Sequence, residues 1–330
     1  MKNRLKNKTT RNNFITYGVV ILIYIVMQIL TASGSISSTM QGLLVPICAY
    51  VVMAISLNLT VGILGELSLG HAGFMSVGAF TGVTAAMALS GRVSSGIVCL
   101  IVGMVVGAVF AAIVGFLIGI PVLRLKGDYL AIVTLACGEI IKNVITNLDI
   151  TGGALGLNTA AVYSGAQVLL PYAAALVLIT CVVMLNLKRS KYGRAIMAIR
   201  DNRIAAESVG LNVTFFKLAV FVIAAFFAGA AGVLYGHSLA NVKAAAFDYN
   251  MSIEILIIVV LGGMGSVPGS IIAAIVLTVL PEALRGFADY RMLIYAIVLI
   301  VVMLATNSPQ MKALLSKLVP FGKKGEKEHA

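Results

Sequence analysis

Apolar runs long enough to cross a lipid bilayer recur along almost the whole chain. A spanning helix needs about 20 predominantly apolar residues. The stretch 251–284 is too long for one span and is interrupted by GGMGSVPG at residues 262–269, which indicates two short spans joined at the inner face, or one broken helix with a re-entrant piece. The runs predict an all-α polytopic integral membrane protein with about eight to ten transmembrane helices. They lie at residues 14–31, 43–64, 68–90, 96–120, 129–147, 168–187, 214–237 and 290–306.

The composition excludes a soluble globular domain. Hydrophobic residues make up 60% of the chain and charged residues 11%, far from the composition of soluble proteins. The 33 glycines fit the same class, because small residues let helices approach closely where no water drives them together.

Basic residues are concentrated in three blocks beside apolar runs, and the positive-inside rule places all three in the cytoplasm. They are an N-terminal segment, 1–13, a central loop, 188–213, and a C-terminal tail, 307–330. The transmembrane domain then covers 14–306, with both termini cytoplasmic and the poorly charged segment 148–167 outside. The net charge of +12 is therefore a topological signal in a multi-pass inner (plasma) membrane protein, and no nucleic-acid partner is expected. The first run is interpreted as an uncleaved span rather than a signal peptide.

Motifs for nucleotide, metal or covalent chemistry are missing from the sequence. It has no G-x-x-x-x-G-K-[ST] loop to hold nucleotide phosphates and no H-E-x-x-H. Its four cysteines lie in apolar stretches without C-x-x-C spacing. We therefore expect no catalytic residue, no metal site and no cofactor, and we expect any ATP hydrolysis on a separate subunit.

Two glycine-interrupted apolar regions, 62–82 and 262–269, mark a candidate translocation path. Unwound backbone inside a membrane is tolerated only against protein or a watery cavity, and broken helices in both halves of a chain indicate a transport site. A distant internal repeat would also account for them, and the sequence leaves this open. The candidate path residues are Ser68, His71, Glu139, Gly262 and Gly263.

Two of these path residues can also have purely structural roles. Glu139 and Lys142 are three residues apart on one helical face and can neutralise each other, and His71 can be a satisfied structural histidine.

The central loop has the features of a docking element. Asp201 and Asn202 can cap a helix start, Ala205 and Ala206 would leave a small-residue surface, and Gly210 can take the left-handed conformation that ends a helix. The candidate coupling residues are Arg200, Asp201, Asn202, Ala205, Ala206, Glu207 and Gly210.

Several segments together resemble the membrane permease subunit of ABC importers for branched-chain amino acids. They are SLNLTVGILGELSLGHAGFMSVGAF at 56–80, GDYLAIVTLACGEIIKNVI at 127–145, TGGALGL at 151–157 and YGRAIMAIRDNRIAAESVGLN at 192–212. The last resembles the permease loop with the general form Glu-Ala-Ala, three residues, Gly. Ala205, Ala206 and Gly210 match it, whereas Ile204 stands where the glutamate would be.

The resemblance implies a machine with several subunits. A second permease, either another copy or a related chain, would complete the pore, two cytosolic ABC ATPases would drive it, and an external binding protein would deliver the amino acid. A permease for urea or short amides and an ion-coupled secondary transporter are the alternatives. A membrane enzyme would need clustered His, Asp or Cys near one face, and the sequence has no such cluster.

Overall fold

The computed structural model describes residues 16–284, except 19, 32, 34–36, 94 and 126, together with 293, 296, 297 and 300. The basic segment 1–13 and the tail 307–330 lie outside the described residues, as does most of the predicted span 290–306. Packing contacts divide the chain into two units, Met1–Ile275 and Val276–Ala330. The site described below belongs to the first unit.

The described part of the chain is helical almost throughout. Within the described residues, seven helices, two of them with added turns, are long and apolar enough to span a membrane, and two shorter apolar helices, α1 and α11, accompany them. The helices are α1 (Thr16–Thr31), α2 (Ser38–Asn58), α3 (His71–Ser90), α4 (Gly96–Val122), α5 (Asp128–Thr146), α6 (Ala166–Arg189), α7 (Lys191–Asp201), α8 (Arg203–Ser208), α9 (Val213–His237), α10 (Tyr249–Leu261) and α11 (Val267–Ala283).

The centre of the bundle is formed by α3, α4 and α9, whose backbones touch at glycines. A Cβ added at Gly78 of α3 would lie 2.2 Å from the carbonyl oxygen of Gly229 in α9. One added at Gly103 of α4 would lie 2.8 Å from the carbonyl oxygen of Gly82 in α3. Helix α2 packs against α6, α9 and α10 and is mostly buried, whereas α5 is largely exposed. The small residues therefore serve the close helix packing that the composition predicted.

Two ends of the bundle can be distinguished by what they carry. The loop face is the end that carries residues 188–212, with the short helices α7 and α8. The opposite face carries the connections 147–165 and 238–248, which pair through two short antiparallel strands, β1 (Leu157–Asn158) and β2 (Asn241–Val242).

The predicted all-α architecture is confirmed, and the structure refines two of its regions. The apolar stretch 251–284 contains two short helices, α10 and α11, joined by a turn, in agreement with the predicted pair of short segments; their junction at the inner face stays a prediction. The predicted span 68–90 begins only at His71, because residues 65–70 are not helical. Hydropathy could not locate that start, since Leu67 and Leu69 keep the non-helical segment continuous with the apolar run that follows.

Candidate translocation and coupling site

The first break separates α2 from α3 and consists of a π-helical turn, residues 59–64, and the non-helical residues 65–70. A π-helix, Leu59–Leu64, continues α2 and ends at Gly65, which has a positive φ of 81°. Single π-turns inside membrane helices often occur at functional sites. Side chains of other helices satisfy the backbone beyond it: the Leu69 N–H donates to the Thr134 hydroxyl of α5 at 2.9 Å, and the Ala72 N–H donates to the Ser252 hydroxyl of α10 at 3.2 Å.

The second break separates α10 from α11 and consists of residues 262–266. It is a tight turn closed by two glycines, since a Cβ added at Gly269 would lie 1.7 Å from the carbonyl oxygen of Gly262. Gly263 and Gly265 have φ values of 87° and 81°.

The two breaks lie against each other, and Asn58 of α2 connects them. Its amide oxygen accepts the Gly265 N–H at 2.7 Å, and its amide nitrogen donates to the Ser266 carbonyl at 3.1 Å and the Ser270 hydroxyl at 2.8 Å. A Cβ added at Gly62 would lie 2.2 Å from the Gly265 nitrogen. The structure therefore brings the two glycine-interrupted regions into direct backbone contact.

Basic side chains of the loop face reach both breaks. The Lys188 ammonium donates to the Gly265 carbonyl at 2.6 Å, and the Arg200 guanidinium donates to the Gly62 carbonyl at 3.2 Å. Lys217, near the start of α9, forms an ion pair with Glu66 of the first break, and their side chains are only 6% and 18% exposed.

The coupling residues predicted in the loop divide into several roles. Asn202 caps α8 as expected, because its side chain accepts the Ala205 N–H at 3.0 Å. Asp201 does not cap a helix: it is the last residue of α7 and accepts from the Arg200 guanidinium at 2.9 Å. Gly210 takes the predicted left-handed conformation, with φ of 83°.

The prediction that Ala205 and Ala206 form a small-residue surface is wrong for Ala206. Ala206 is 3% exposed and packs with Ile199 and Val213, which hold α7, α8 and the start of α9 together. Ala205 is exposed, next to Ile204 at 80% and Val209 at 77%. One apolar side of the helical turn thus faces away from the protein, and it is made by Ile204, Ala205 and Val209. Glu207 is exposed but already paired with Arg203 at 2.9 Å.

The predicted path residues fall into two groups at opposite ends of α10. Ser68 and His71 are buried close to its first turn, where Ser252 binds the start of α3. The His71 ring is hydrogen-bonded to Ser56 at 2.8 Å, as expected for a satisfied structural histidine, whereas the Ser68 hydroxyl has no partner among the described residues.

Glu139 belongs to the same end of α10. It forms the predicted ion pair with Lys142 and accepts the Tyr249 N–H at the start of α10 at 3.0 Å. Gly262 and Gly263 lie at the other end of α10, in the second break.

A cavity of about 510 Å³ adjoins the first break on the loop face. Gly65, Glu66 and Lys217 line one side of it, and residues 199–204 of the loop line another. Within the described ranges, no group of three or more His, Cys, Asp or Glu side chains is placed to hold a metal ion.

The sequence analysis missed Asn58, Lys188 and Lys217 as site residues. A signal existed for two of them: Asn58 and Lys217 carry an amide and an ammonium group within apolar spans, and such groups rarely face lipid. Lys188 belongs to a run of basic residues, and nothing in that run distinguishes it from its neighbours.

These features define a polytopic membrane protein with two interrupted helices in contact near the loop face. The sequence profile described as "Branched-chain amino acid transport system / permease component" matches residues 39–304. The chain belongs to this family of permease components.

Two curated relatives are similar over most of the chain. It is 34% identical over 296 residues to the high-affinity branched-chain amino acid transport system permease protein LivM of Salmonella typhimurium, and 36% identical over 296 residues to LivM of Escherichia coli. Both alignments cover 77% of this chain, which spans 66% of the length of each relative.

A more distant similarity links the chain to another transporter. The ribose import permease protein RbsC of Haemophilus influenzae is 30% identical over 129 residues, 37% of this chain and 40% of that protein. No solved structure matches the chain significantly.

Proposed function

We propose that this chain is the membrane-spanning permease subunit of an ATP-driven ABC importer that carries branched-chain amino acids. The contact between the two breaks, bridged by Asn58, carries the proposal. Interrupted helices inside a membrane domain mark transport sites because unwound backbone there requires protein or water around it. The family membership supports the same function.

The energy for transport would come from cytosolic ATPase subunits that dock on α8. Ile204, Ala205 and Val209 form an exposed apolar side of this short helix. A short helix with such a side fits a groove on a partner. A second permease, as another copy or a related chain, would complete the pore.

The loop face is proposed to be cytoplasmic, with both chain termini on the same side. The support is the concentration of Lys and Arg in the loop. The opposite face, with its β1–β2 pair, would then receive amino acids from an external binding protein. A cysteine at Asn158 should react with an impermeant thiol reagent in intact cells, and one at Asn212 only after the membrane is opened. The reverse pattern would contradict this orientation.

The substrates are proposed to be leucine, isoleucine and valine, because the two LivM relatives are named for branched-chain amino acids. The partial similarity to a ribose permease fits the idea that a related membrane domain carries other substrates, so we propose that the binding protein determines most of the selectivity. Exchanging it for one specific to urea or a short amide should then change what is carried.

Reconstitution tests the proposed function. The chain, its pore partner, the ATPases and the binding protein would be placed in proteoliposomes. Uptake of labelled leucine should require both ATP and the binding protein and should not respond to proton or sodium gradients. Uptake that follows an ion gradient without ATP would instead support a secondary transporter.

The docking surface has its own test in a pair of alanine variants. Ala205→Arg adds a charge to the exposed side of α8, so the inserted permease should lose the ATPases on purification. Ala154→Arg is the control, because Ala154 is exposed on the opposite face. Normal ATPase binding by Ala205→Arg would show that docking occurs elsewhere.

A further inference from the structure

We infer that Lys188, Arg200 and Lys217 form a basic clamp through which movement of the loop is passed to both breaks. The inference rests on the proposed function and makes these three side chains positioning residues for transport. None of them is expected to touch the amino acid. Each holds a backbone or carboxylate group of an interrupted helix.

The clamp residues lie at three separate points of the chain around the loop. Lys188 is in the last turn of α6, where the loop begins, Arg200 is near the end of α7, and Lys217 is in the second turn of α9, after the loop ends. The loop is thus tied to the breaks at its start, in its middle and after its end. A displacement of α8 by a docked partner would strain all three contacts.

The backbone carbonyls that Lys188 and Arg200 bind lie at or beyond helix ends, where they lack helical hydrogen-bond donors. The Gly62 carbonyl is in the last turn of the π-helix. Carbonyls there point beyond the C-terminal end of the helix and lack helical partners. The Gly265 carbonyl lies in the turn beyond the end of α10. Cations near helix C-termini interact favourably with the helix dipole. Arg200 therefore supplies both a hydrogen bond and a favourable positive charge at the end of the π-helix, whereas Lys188 supplies a hydrogen bond to the turn.

The contact of Lys217 with Glu66 differs because it is a nearly buried ion pair. Glu66 lies one residue after the αL glycine that ends the π-helix, so its side chain fixes the direction in which the chain leaves α2. Removing one partner would leave the other charge uncompensated in a poorly hydrated place. Lys217 therefore restrains the first break from the side of α9.

The surroundings of the clamp allow motion at the first break in particular. The cavity of about 510 Å³ lies between the loop and the first break, and Arg200, Glu66 and Lys217 all line it. Asn58, next to the π-helix, is hydrogen-bonded to the second break. Movement of the first break into the cavity would therefore also pull on the second.

Coupling variants test the clamp in the reconstituted importer. In Lys188→Met, Arg200→Met and Lys217→Met, the ATPases should remain bound and hydrolyse ATP, because the exposed side of α8 is unchanged. Leucine import per ATP hydrolysed should fall by at least about fivefold, the low end of typical coupling effects. Arg194→Met is the matched control, since the Arg194 guanidinium donates, within the described part of the chain, only to the Arg189 carbonyl of the adjoining helix end. Its import per ATP should stay unchanged.

Conservative and reversed variants separate positioning from folding. Arg200→Lys and Lys188→Arg keep the cation and should retain most of the coupling. The exchange Glu66→Lys with Lys217→Glu restores opposite charges and should recover part of the coupling that Lys217→Met loses. If the Met variants import as much leucine per ATP as Arg194→Met, the clamp does not exist.

A measurement on the isolated chain does not depend on transport. Ser68→Cys places a thiol in the first break, where Ser68 is 3% exposed, and its labelling is measured above that of a parent with only the native cysteines. Adding Arg200→Met should speed the labelling by about tenfold, whereas adding Arg194→Met should not. Equal labelling rates in the two variants would overturn the clamp even if the chain proves to be an importer. Failure of the wild-type importer to use ATP, with a faster rate in Arg200→Met, would overturn only the proposed function.

Discussion

The two breaks interrupt helices in the same membrane domain, yet their backbone groups are satisfied in different ways. At the first break and the start of α3, hydroxyls of α5 and α10 accept N–H groups from the backbone, and basic side chains of the loop face bind a carbonyl and a carboxylate of the break. The second break is also bound by neighbours, Asn58 and Lys188, but in addition it is a compact turn in which Gly262 and Gly269 are in backbone contact. The first break thus depends on its neighbours, whereas the second is also closed by its own glycines.

This difference indicates which break responds to the rest of the protein. Backbone groups inside a membrane must find partners within the protein. A break whose partners lie on other helices changes when those helices move. A break closed by glycine-to-glycine contact moves as one piece. We therefore expect substitutions at the second break to affect stability first, and those at the first break to affect coupling first.

The largest expected effect is at the second break, in Gly269→Ala. The new Cβ would lie 1.7 Å from the Gly262 carbonyl oxygen, and neither backbone can yield without opening the turn. Overpacking of this kind costs about 3 kcal/mol. The thermal unfolding midpoint in detergent, followed by dye reaction with the buried cysteines, should fall clearly.

Gly42→Ala is the control for this substitution. Gly42 lies inside α2, and a Cβ there would meet nothing within 4 Å. Alanine in a helix interior is favoured over glycine by about 1 kcal/mol, so this variant should be as stable as the parent or slightly more stable. If Gly269→Ala behaves like Gly42→Ala, the second break is not a rigid turn.

The spans were predictable from the sequence because lipid imposes a length and a composition on each of them. The glycine interruptions at 62–82 and 262–269 also pointed to both breaks, since clustered glycines within an apolar run favour unwound backbone over a continuous helix. The contact between the breaks was not predictable. It joins Asn58 to Gly265 across 207 residues of chain, and no local pattern specifies such a distant pair.

Asn58→Leu is expected to have the next largest effect, and it tests whether the breaks act together. Leucine has a similar shape but leaves the Gly265 N–H and the Ser270 hydroxyl without the Asn58 amide. An unsatisfied buried group of this kind costs about 1–3 kcal/mol, so the unfolding midpoint should fall by less than in Gly269→Ala. Asn143→Leu, on an exposed side of α5, should be close to neutral. Equal midpoints for the two leucine variants would mean that the breaks are independent.

The candidate site was predictable only in part, and the loop shows why. The helix-ending glycine at 210 and the Asn202 cap follow local rules of backbone geometry and were correctly predicted. The burial of Ala206 was missed because it depends on how the two short helices fold against α9. The positive charge of Lys188 and Arg200 predicted the side of the membrane on which they lie. It could not predict their carbonyl partners, which belong to segments far away in the chain.

The smallest expected effect on stability comes from two glycines with nearly the same backbone φ angle. Their comparison also tests the mechanism most directly. Gly65 has φ of 81° and Gly210 has φ of 83°, so alanine at either position should cost about 1 kcal/mol. Their surroundings differ. A Cβ at Gly65 would lie 2.6 Å from Cγ of Arg200, whereas a Cβ at Gly210 would meet nothing within 4 Å.

The two alanine variants should therefore unfold at similar temperatures but transport differently. Gly65→Ala pushes the Arg200 side chain away from the Gly62 carbonyl and should lower leucine import per ATP hydrolysed. Gly210→Ala strains the end of α8 but leaves the first break untouched, so import per ATP should change less. Arg200 is flexible enough to be displaced without a large loss of stability, which is why the effect should appear in coupling rather than in unfolding. If Gly210→Ala uncouples transport more than Gly65→Ala does, α8 rather than the first break is the sensitive element, and the difference drawn between the breaks is wrong.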